Sequence, residues 1–436
     1  EIRLSLVGSE MCIRDRVSAM PSYLDLFAGA GGLSEGFLRA GFDPVAHIEM
    51  DMAACYTLKT RMAYKWLQEQ GHPEIYNRYL SQEVTRDEFY AQIPDNVLNS
   101  VLNYEMSQDN LEDVFADVDR CLNGEHLSLI VGGPPCQAYS VVGRARSATG
   151  MVGDRRNYLY TLYAEFLERY QPEYFVFENV LGLLSAKDQD GRLHFDKMRE
   201  RFAECGYSVE YRVLNARDYG VLQNRKRIIL IGKQGNYHNF YPEIEEIHPD
   251  CLVSDVLSDL PAVAAGGGEP ALVDTLPYHG YYLYDAHIKE AAGQPVTLHW
   301  ARPNTEQDLE IYQIVADEWA HNHRRIRYCD LPIRLQTHKN TKAFLDRFKV
   351  VAQDLPYSQT IVAHMSKDGH YYIHPTQNRS LTPREAARLQ TFPDDYYFES
   401  VTGVPSRTTA FKQIGNAVPV RLAESVALAL DAVWGL

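Results

Sequence analysis

The 436-residue chain predicts an α/β fold: a doubly wound, mostly parallel sheet with a second, smaller domain. Three observations carry that expectation. From residue 23, short apolar runs alternate with helical patterns ("YLDLF", "GGLSEGFLRAGF", "PVAHIEM"), the signature of βαβ units. The alternation resumes in "LSLIVGG", "YFVFENV" and "RIILIG", with "RNYLYTLYAEFLERY" as a helix whose apolar face suits them. It stops after Gly235, where a stretch rich in Tyr, His, Pro and Gly begins. These changes place the α/β unit at residues 17–234, the second domain at 235–375, and a segment returning to the first domain at 376–436.

Element by element, "DLFAGAGG" (Asp25 to Gly32) follows a strand and opens a helix, where glycines let backbone amides approach a ligand. Its spacing is neither the phosphate loop nor the dinucleotide fingerprint. Phe27 within the turn and Glu49 ending the next strand suit a nucleoside-bearing ligand with ribose hydroxyls, although a strand-end acid is more often simply solvated. Between Leu58 and Asn123 the pattern is helical and charged, longer than a crossover requires, and suggests no role. Near the C-terminus, "TPREAARLQTF" carries Thr382 as N-cap, Pro383 at the first helical position and Glu385 to complete a capping box. "VRLAESVALALDAVW" is a last helix.

Composition narrows the function classes. No apolar run approaches the roughly 20 residues of a membrane span. Seven cysteines, without a CxxC pair or a histidine at metal-ligand spacing, predict a reduced, cytoplasmic protein with no metal site. A net charge of −15 argues against indiscriminate polyanion binding, so any nucleic-acid site is local. The opening "EIRLSLVGSEMCIRDR" lacks the features of a secretory signal; residues 1–16 are expected to be a non-native leader, with the natural start near Met20.

In "GGPPCQAYS" (Gly132 to Ser140), Cys136 follows an apolar strand and two prolines. Free cysteines are most often small buried hydrophobes. Here Pro134 and Pro135 stiffen the turn, which suits a thiol held as a nucleophile.

With "DLFAGAGG", "GGPPCQAYS", "FENV", "QNRKR", "PREAARLQTFP" and "QIGNAVP" in this order, the chain resembles the DNA (cytosine-5)-methyltransferases of bacterial or phage restriction-modification systems, from Tyr23 to Val420. The resemblance implies an S-adenosylmethionine-dependent methyltransferase fold and methyl transfer from S-adenosylmethionine to cytosine carbon-5 in duplex DNA. Cys136 would add to carbon-6 of a flipped base, Glu178 of "FENV" would neutralise nitrogen-3, and Arg225 of "QNRKR" would hold the base and the catalytic geometry. For the cofactor it implies Phe27, Ala30, Gly31, Gly32, Glu49, Met50, Pro135 and Asn416, with Glu105 and Met106 as the best candidates for an otherwise indistinct motif.

Flipping a base costs roughly a few kcal/mol, so DNA contacts must offset it. Gln137, Ser140, Arg144, Arg146 and Arg155 lie in a glycine-rich loop after the nucleophile, and Arg227 ends "QNRKR". Residues 321–349 hold eight basic against two acidic residues, Arg324, Arg325 and Arg327 among them, and with the rest of 235–375 form the expected target-recognition domain. Partners implied are duplex DNA and a cognate restriction endonuclease, or none for an orphan methylase; a monomer is expected. Two other readings are methylation of transfer RNA, disfavoured by the large segment between "QNRKR" and "PREAARLQ", and a catalytically inert DNA-binding regulator, disfavoured because thiol, acid and cofactor residues are all present.

Overall fold

The computed structural model describes residues 21–135, 158–338 and 345–434. Its centre is a sheet built from β1 (Ser22–Leu26), β2 (Asp43–Glu49), β3 (Val101–Asn103), β4 (Leu129–Gly132), β5 (Tyr174–Asn179), β6 (Tyr207–Asn215) and β7 (Lys226–Gln234). The strand order is β3-β2-β1-β4-β5-β7-β6. β3, β2, β1, β4 and β5 run parallel, whereas β7 enters antiparallel between β5 and β6. The order reverses between β1 and β4, so their carboxyl ends part and leave the crevice in which open α/β sheets bind ligands. Since β7 is antiparallel, its first residues lie at that same end.

Helices of the same unit are α1 (Gly32–Arg39), α2 (Met52–Gln70), α3 (Pro73–Leu80), α4 (Arg86–Tyr90), α5 (Asp95–Leu98), α6 (Leu111–Leu122), α7 (Leu159–Tyr170) and α8 (His194–Glu204). The central strands β1, β4, β5 and β7 are buried on both faces, as their apolar runs require. One face packs Leu24, Ile130, Phe175 and Leu230 against α6, α7 and α8. The other packs Tyr23, Val131, Val176 and Ile231 against Phe37 of α1 and against Leu422 and Val426 of the last helix, Val420–Ala432.

The charged stretch after residue 58 is helical as expected, running through α2 to α5, but it also contains the short edge strand β3. Its packing supplies the role that its sequence does not suggest. Arg61 bridges Glu35 and Asp395, Thr60 and Tyr79 donate to Glu399, and Arg86 donates to the Ser400 carbonyl. The insert therefore clamps the C-terminal segment against α1, on the β1–β2 side of the sheet.

Beyond Gly235 lie α9 (Glu306–Asn322), α10 (Pro383–Leu389), α11 (Arg407–Asn416) and α12 (Val420–Ala432). Thr382 and Glu385 form the expected capping box, with Pro383 in the first turn. Residues from Cys251 to Leu298 share a core with the insert and with α10 and α11. A separate small core joins Ile311, Tyr312 and Val315 to Tyr328, Leu331, Leu335, Phe348, Val350 and Ile373. Buried Arg388 fastens the first group to α10: it pairs with Asp394 at 2.7 Å and Asp259 at 2.5 Å, and Asp259 also takes the buried Lys289. Among the described residues, no helix is long and apolar enough to cross a membrane.

Candidate active site

The β1–α1 loop is shaped by three left-handed residues, Phe27 (φ 58°), Gly29 (φ 56°) and Gly31 (φ 80°). Close approach of the C-terminal segment is a second reason for glycine at Gly31 and the reason for it at Gly32. A methyl group at Gly31 would sit 2.7 Å from the Tyr396 hydroxyl, and one at Gly32 would collide with the Val418 carbonyl. Tyr396 also donates to the Ala30 carbonyl at 2.6 Å, so the C-terminal segment closes the loop from behind.

Glu49, at the end of β2, accepts from the Gly29 amide on Oε2 and the Asp51 amide on Oε1, each at 2.8 Å. Burial raises its pKa above the usual carboxylate value. Asp25, in β1 beneath the loop, is a residue to which the sequence assigns no role. Neither carboxyl oxygen has a hydrogen-bond partner among the described residues, and burial, then the charge of Glu49, pushes its pKa well up. An orphaned buried carboxyl is costly unless something arrives to satisfy it.

The remaining cofactor candidates divide. Met50 is exposed beside Glu49, and Asn103 of β3 holds that turn by donating to the Glu49 and Met50 carbonyls at 3.0 and 3.1 Å. Glu105 is exposed just after β3, whereas Met106 is buried in the core. Asn416 is exposed at the end of α11, which Lys412 ties to Asp51 at 2.6 Å. Pro135 is half-buried at the exit of β4.

At the ends of β4 and β5 the geometry is close. The Asn179 amide donates to the Pro134 carbonyl at 3.3 Å. A methyl group at Gly133 would lie 2.7 Å from Glu178 Oε2, so the glycine makes room for the carboxylate. On its other side Glu178 Oε1 meets Arg227 Nε at 2.7 Å. The geometry gives the two arginines of "QNRKR" different partners. Arg225, expected at the base, is buried and donates to the Ile361, Gly415 and Ala417 carbonyls. Arg227, expected on DNA, pairs with the acid. The reason is strand position: β7 begins at Lys226, so Arg227 lies on the sheet facing β5, while Arg225 sits in the preceding turn with its amide on Asn215. Cys136, Gln137, Ser140, Arg144, Arg146 and Arg155 lie outside the described residues.

The C-5 cytosine-specific DNA methylase family matches residues 22–83 and 100–432. This chain belongs to that family. It is 39% identical to the Type II methyltransferase M.Bpa9945I of Bacillus paralicheniformis over 94% of this chain and 98% of that one. It is 29% identical to M.DdeI of Desulfomicrobium norvegicum over 93% and 87% of the respective chains. A crystal structure described as a DNA modification methyltransferase encoded within a prophage of E. coli shares the fold, with a TM-score of 0.62, 20% identity and coverage of 95% of this chain and 100% of that chain.

In this DNA methylase, the basic stretch expected to track phosphates is partly neutralised. Arg324 pairs with Glu318 at 2.7 Å, Arg334 with Glu310, and Arg347 with Asp368, all acids outside residues 321–349. The charge excess is legible in the stretch itself, but its partners come from α9 and from residue 368. Arg325 lies over the Trp319 ring at 5.6 Å, and Arg327 is exposed. These two remain the better candidates for DNA.

Proposed function

We propose that this methylase uses S-adenosylmethionine to methylate carbon-5 of a flipped cytosine in one specific duplex DNA sequence, as the modification enzyme of a restriction-modification system or as an orphan methylase. The observation that carries the site assignment is the junction of β4 and β5. Gly133 abuts the Glu178 carboxylate and Asn179 holds the Pro134 carbonyl, which sets the backbone leading into Cys136 beside the acid.

The cofactor's contribution when bound is an electrophilic methyl group. The residues present suit it: the orphaned carboxyl of Asp25 offers a partner for a cationic ligand, Glu49 keeps lone pairs for ribose hydroxyls, and Phe27 and Met50 offer apolar surface for a purine. In the reaction the Cys136 thiolate bonds to carbon-6 and the ring's electron pair shifts to carbon-5, making that carbon nucleophilic. Glu178 faces nitrogen-3, where charge develops, and Arg227 fixes the orientation of the carboxylate. After methyl transfer, loss of the carbon-5 proton and expulsion of the thiolate release the product.

The test is nucleoside mass spectrometry on mixed-sequence duplex DNA and, separately, transfer RNA, incubated with the protein and S-adenosylmethionine, with Cys136→Ser in parallel. Expected is 5-methyldeoxycytidine that disappears in the variant; sequencing the methylated DNA then gives the recognised site. Product in RNA alone, or none at all, overturns the reading.

A further inference from the structure

Three of the cofactor candidates sit on two elements far apart in sequence: Glu49 and Met50 at the turn from β2 into α2, and Asn416 at the end of α11. Asp51 is the residue that joins them. Its amide donates to Glu49 Oε1 at 2.8 Å, its Oδ1 caps α2 by accepting from the Ala53 amide at 3.0 Å, and its Oδ2 takes Lys412 Nζ at 2.6 Å. Lys412 stands four residues before Asn416, so the two share a face of α11. A chain of contacts therefore runs from α11 through Lys412 and Asp51 to the Glu49 carboxylate.

This ion pair is not what packs the two helices together. Further along α2, buried Thr57 donates to Gln413 Oε1 at 2.6 Å and accepts from the Glu399 amide at 2.8 Å. Lys412 is exposed, and an exposed pair adds little to stability. Burial alone would raise the pKa of Asp51, but the hydrogen bond and charge of Lys412 bring it below its ordinary value, so the pair is ionised. What the pair fixes is local. Asn103 and Cys55 hold the Glu49 carbonyl at 3.0 and 3.3 Å, and Lys412 holds the Asp51 end of the same turn.

We propose that Lys412 is a positioning residue for the cofactor: through Asp51 it sets the Glu49 carboxylate relative to Asn416, and with it the strength with which S-adenosylmethionine is held. The inference rests on the proposed use of that cofactor and adds to it a residue that need not touch the ligand. A ligand that bridges two elements binds tightest when their separation is set beforehand, because binding then does not have to order them.

The experiment is calorimetry of S-adenosylmethionine binding to the full chain without DNA, at low and high potassium chloride, with melting temperature alongside. The variants are Lys412→Met, Lys412→Arg, Asp51→Asn and the double variant Lys412→Met/Asp51→Asn. Asparagine still caps a helix, so Asp51→Asn removes the ion pair and spares α2. Expected is a roughly fivefold weaker affinity for Lys412→Met and for Asp51→Asn, the upper end for an exposed pair, with no further loss in the double variant. Lys412→Arg should recover most of the affinity. High salt should weaken binding to the unaltered protein more than to Lys412→Met, since only the former has the pair to screen. Unchanged affinity in Lys412→Met, or losses that add in the double variant, overturn the assignment. So does an affinity loss matched by a large fall in melting temperature, which would make the pair structural. If the unaltered protein binds no S-adenosylmethionine, the functional reading itself fails first, before any variant is compared.

Discussion

Replacing Gly133 with alanine tests the junction that carries the site. The added methyl would lie 2.7 Å from Glu178 Oε2, whereas ordinary contact begins at 3.4 Å, so the carboxylate must retreat by about 0.7 Å. Its other oxygen is held by Arg227 at 2.7 Å, and a retreat of that size lengthens or bends the pair. Gly133 does not have a positive φ, so its backbone accepts alanine, and the group that yields is the end of a side chain. Overpacking of this kind should cost about 1 kcal/mol of stability. Catalysis should suffer more, because a misplacement near 1 Å can cost on the order of 100-fold, or about 2.7 kcal/mol of transition-state stabilisation. The assay is single-turnover transfer of labelled methyl groups to mixed-sequence duplex DNA, with cofactor affinity by calorimetry and stability by thermal melting. Full-rate methylation by Gly133→Ala would refute the claim that this turn positions Glu178. A parallel loss of cofactor affinity would place the turn's effect in the wrong pocket.

The two arginines of "QNRKR" should separate. Arg225→Met removes donors from three buried carbonyls and should lower stability by about 3 kcal/mol or more, whereas Arg227→Met should leave the denaturant midpoint nearly unchanged and depress the methylation rate. Asp25→Leu should raise the melting temperature of the ligand-free protein by removing an unsatisfied buried carboxyl, and weaken S-adenosylmethionine binding measured by calorimetry. Burial lowers the pKa of His374 to about 4, so the fold keeps this ring neutral; its contribution is complete above the unfolded value near 6.5 and is lost as the pH falls from there toward 4. Between pH 6.5 and 5, denaturation of His374→Gln should therefore vary less steeply with pH than that of the unaltered protein, by up to about 1.4 kcal/mol per unit. Reversing Arg325 and Arg327 to glutamate should weaken DNA binding and reduce its salt slope by about 2, with cofactor affinity intact; reversing Arg324, already paired with Glu318, should do less.

The sheet is readable because its central strands are buried on both faces, leaving apolar runs between helical patterns. β3 is not: three residues at the sheet edge between helices produce no period of their own. β6 escapes for a related reason. Its middle residues Tyr211, Arg212 and Val213 are exposed, so an edge strand with polar and apolar positions intermixed does not read as core. The insert's role also depends on partners distant in sequence, since Asp395 and Glu399 lie more than 300 positions from the residues they hold. Composition marks where the βα alternation ends, while packing divides the residues beyond Gly235 among three cores: one shared with the insert, one on the sheet face that takes Tyr241, Ile244 and the last helix, and the small one around Tyr312.

At the site, residue types are legible and their partners are not, and the arginines show why. Spacing alone makes Arg225 and Arg227 equivalent, two residues apart on either side of Lys226. What distinguishes them is register: Glu178 lies opposite Ile229 across the antiparallel pair, so the position two residues earlier on β7, Arg227, shares its face near the strand's end. One further step of two leaves the strand for a turn in which Ala216 donates to the Arg225 carbonyl, and the side chain is delivered to the C-terminal segment instead. A pattern of alternating residues thus places one cation on Glu178 and the other on the carbonyls of Ile361, Gly415 and Ala417. The motif "QNRKR" therefore fastens two parts of the methylase at once, and damage to Arg225 should be read first as loss of docking between β7 and the segment ending in Asn416, not as loss of contact with the base.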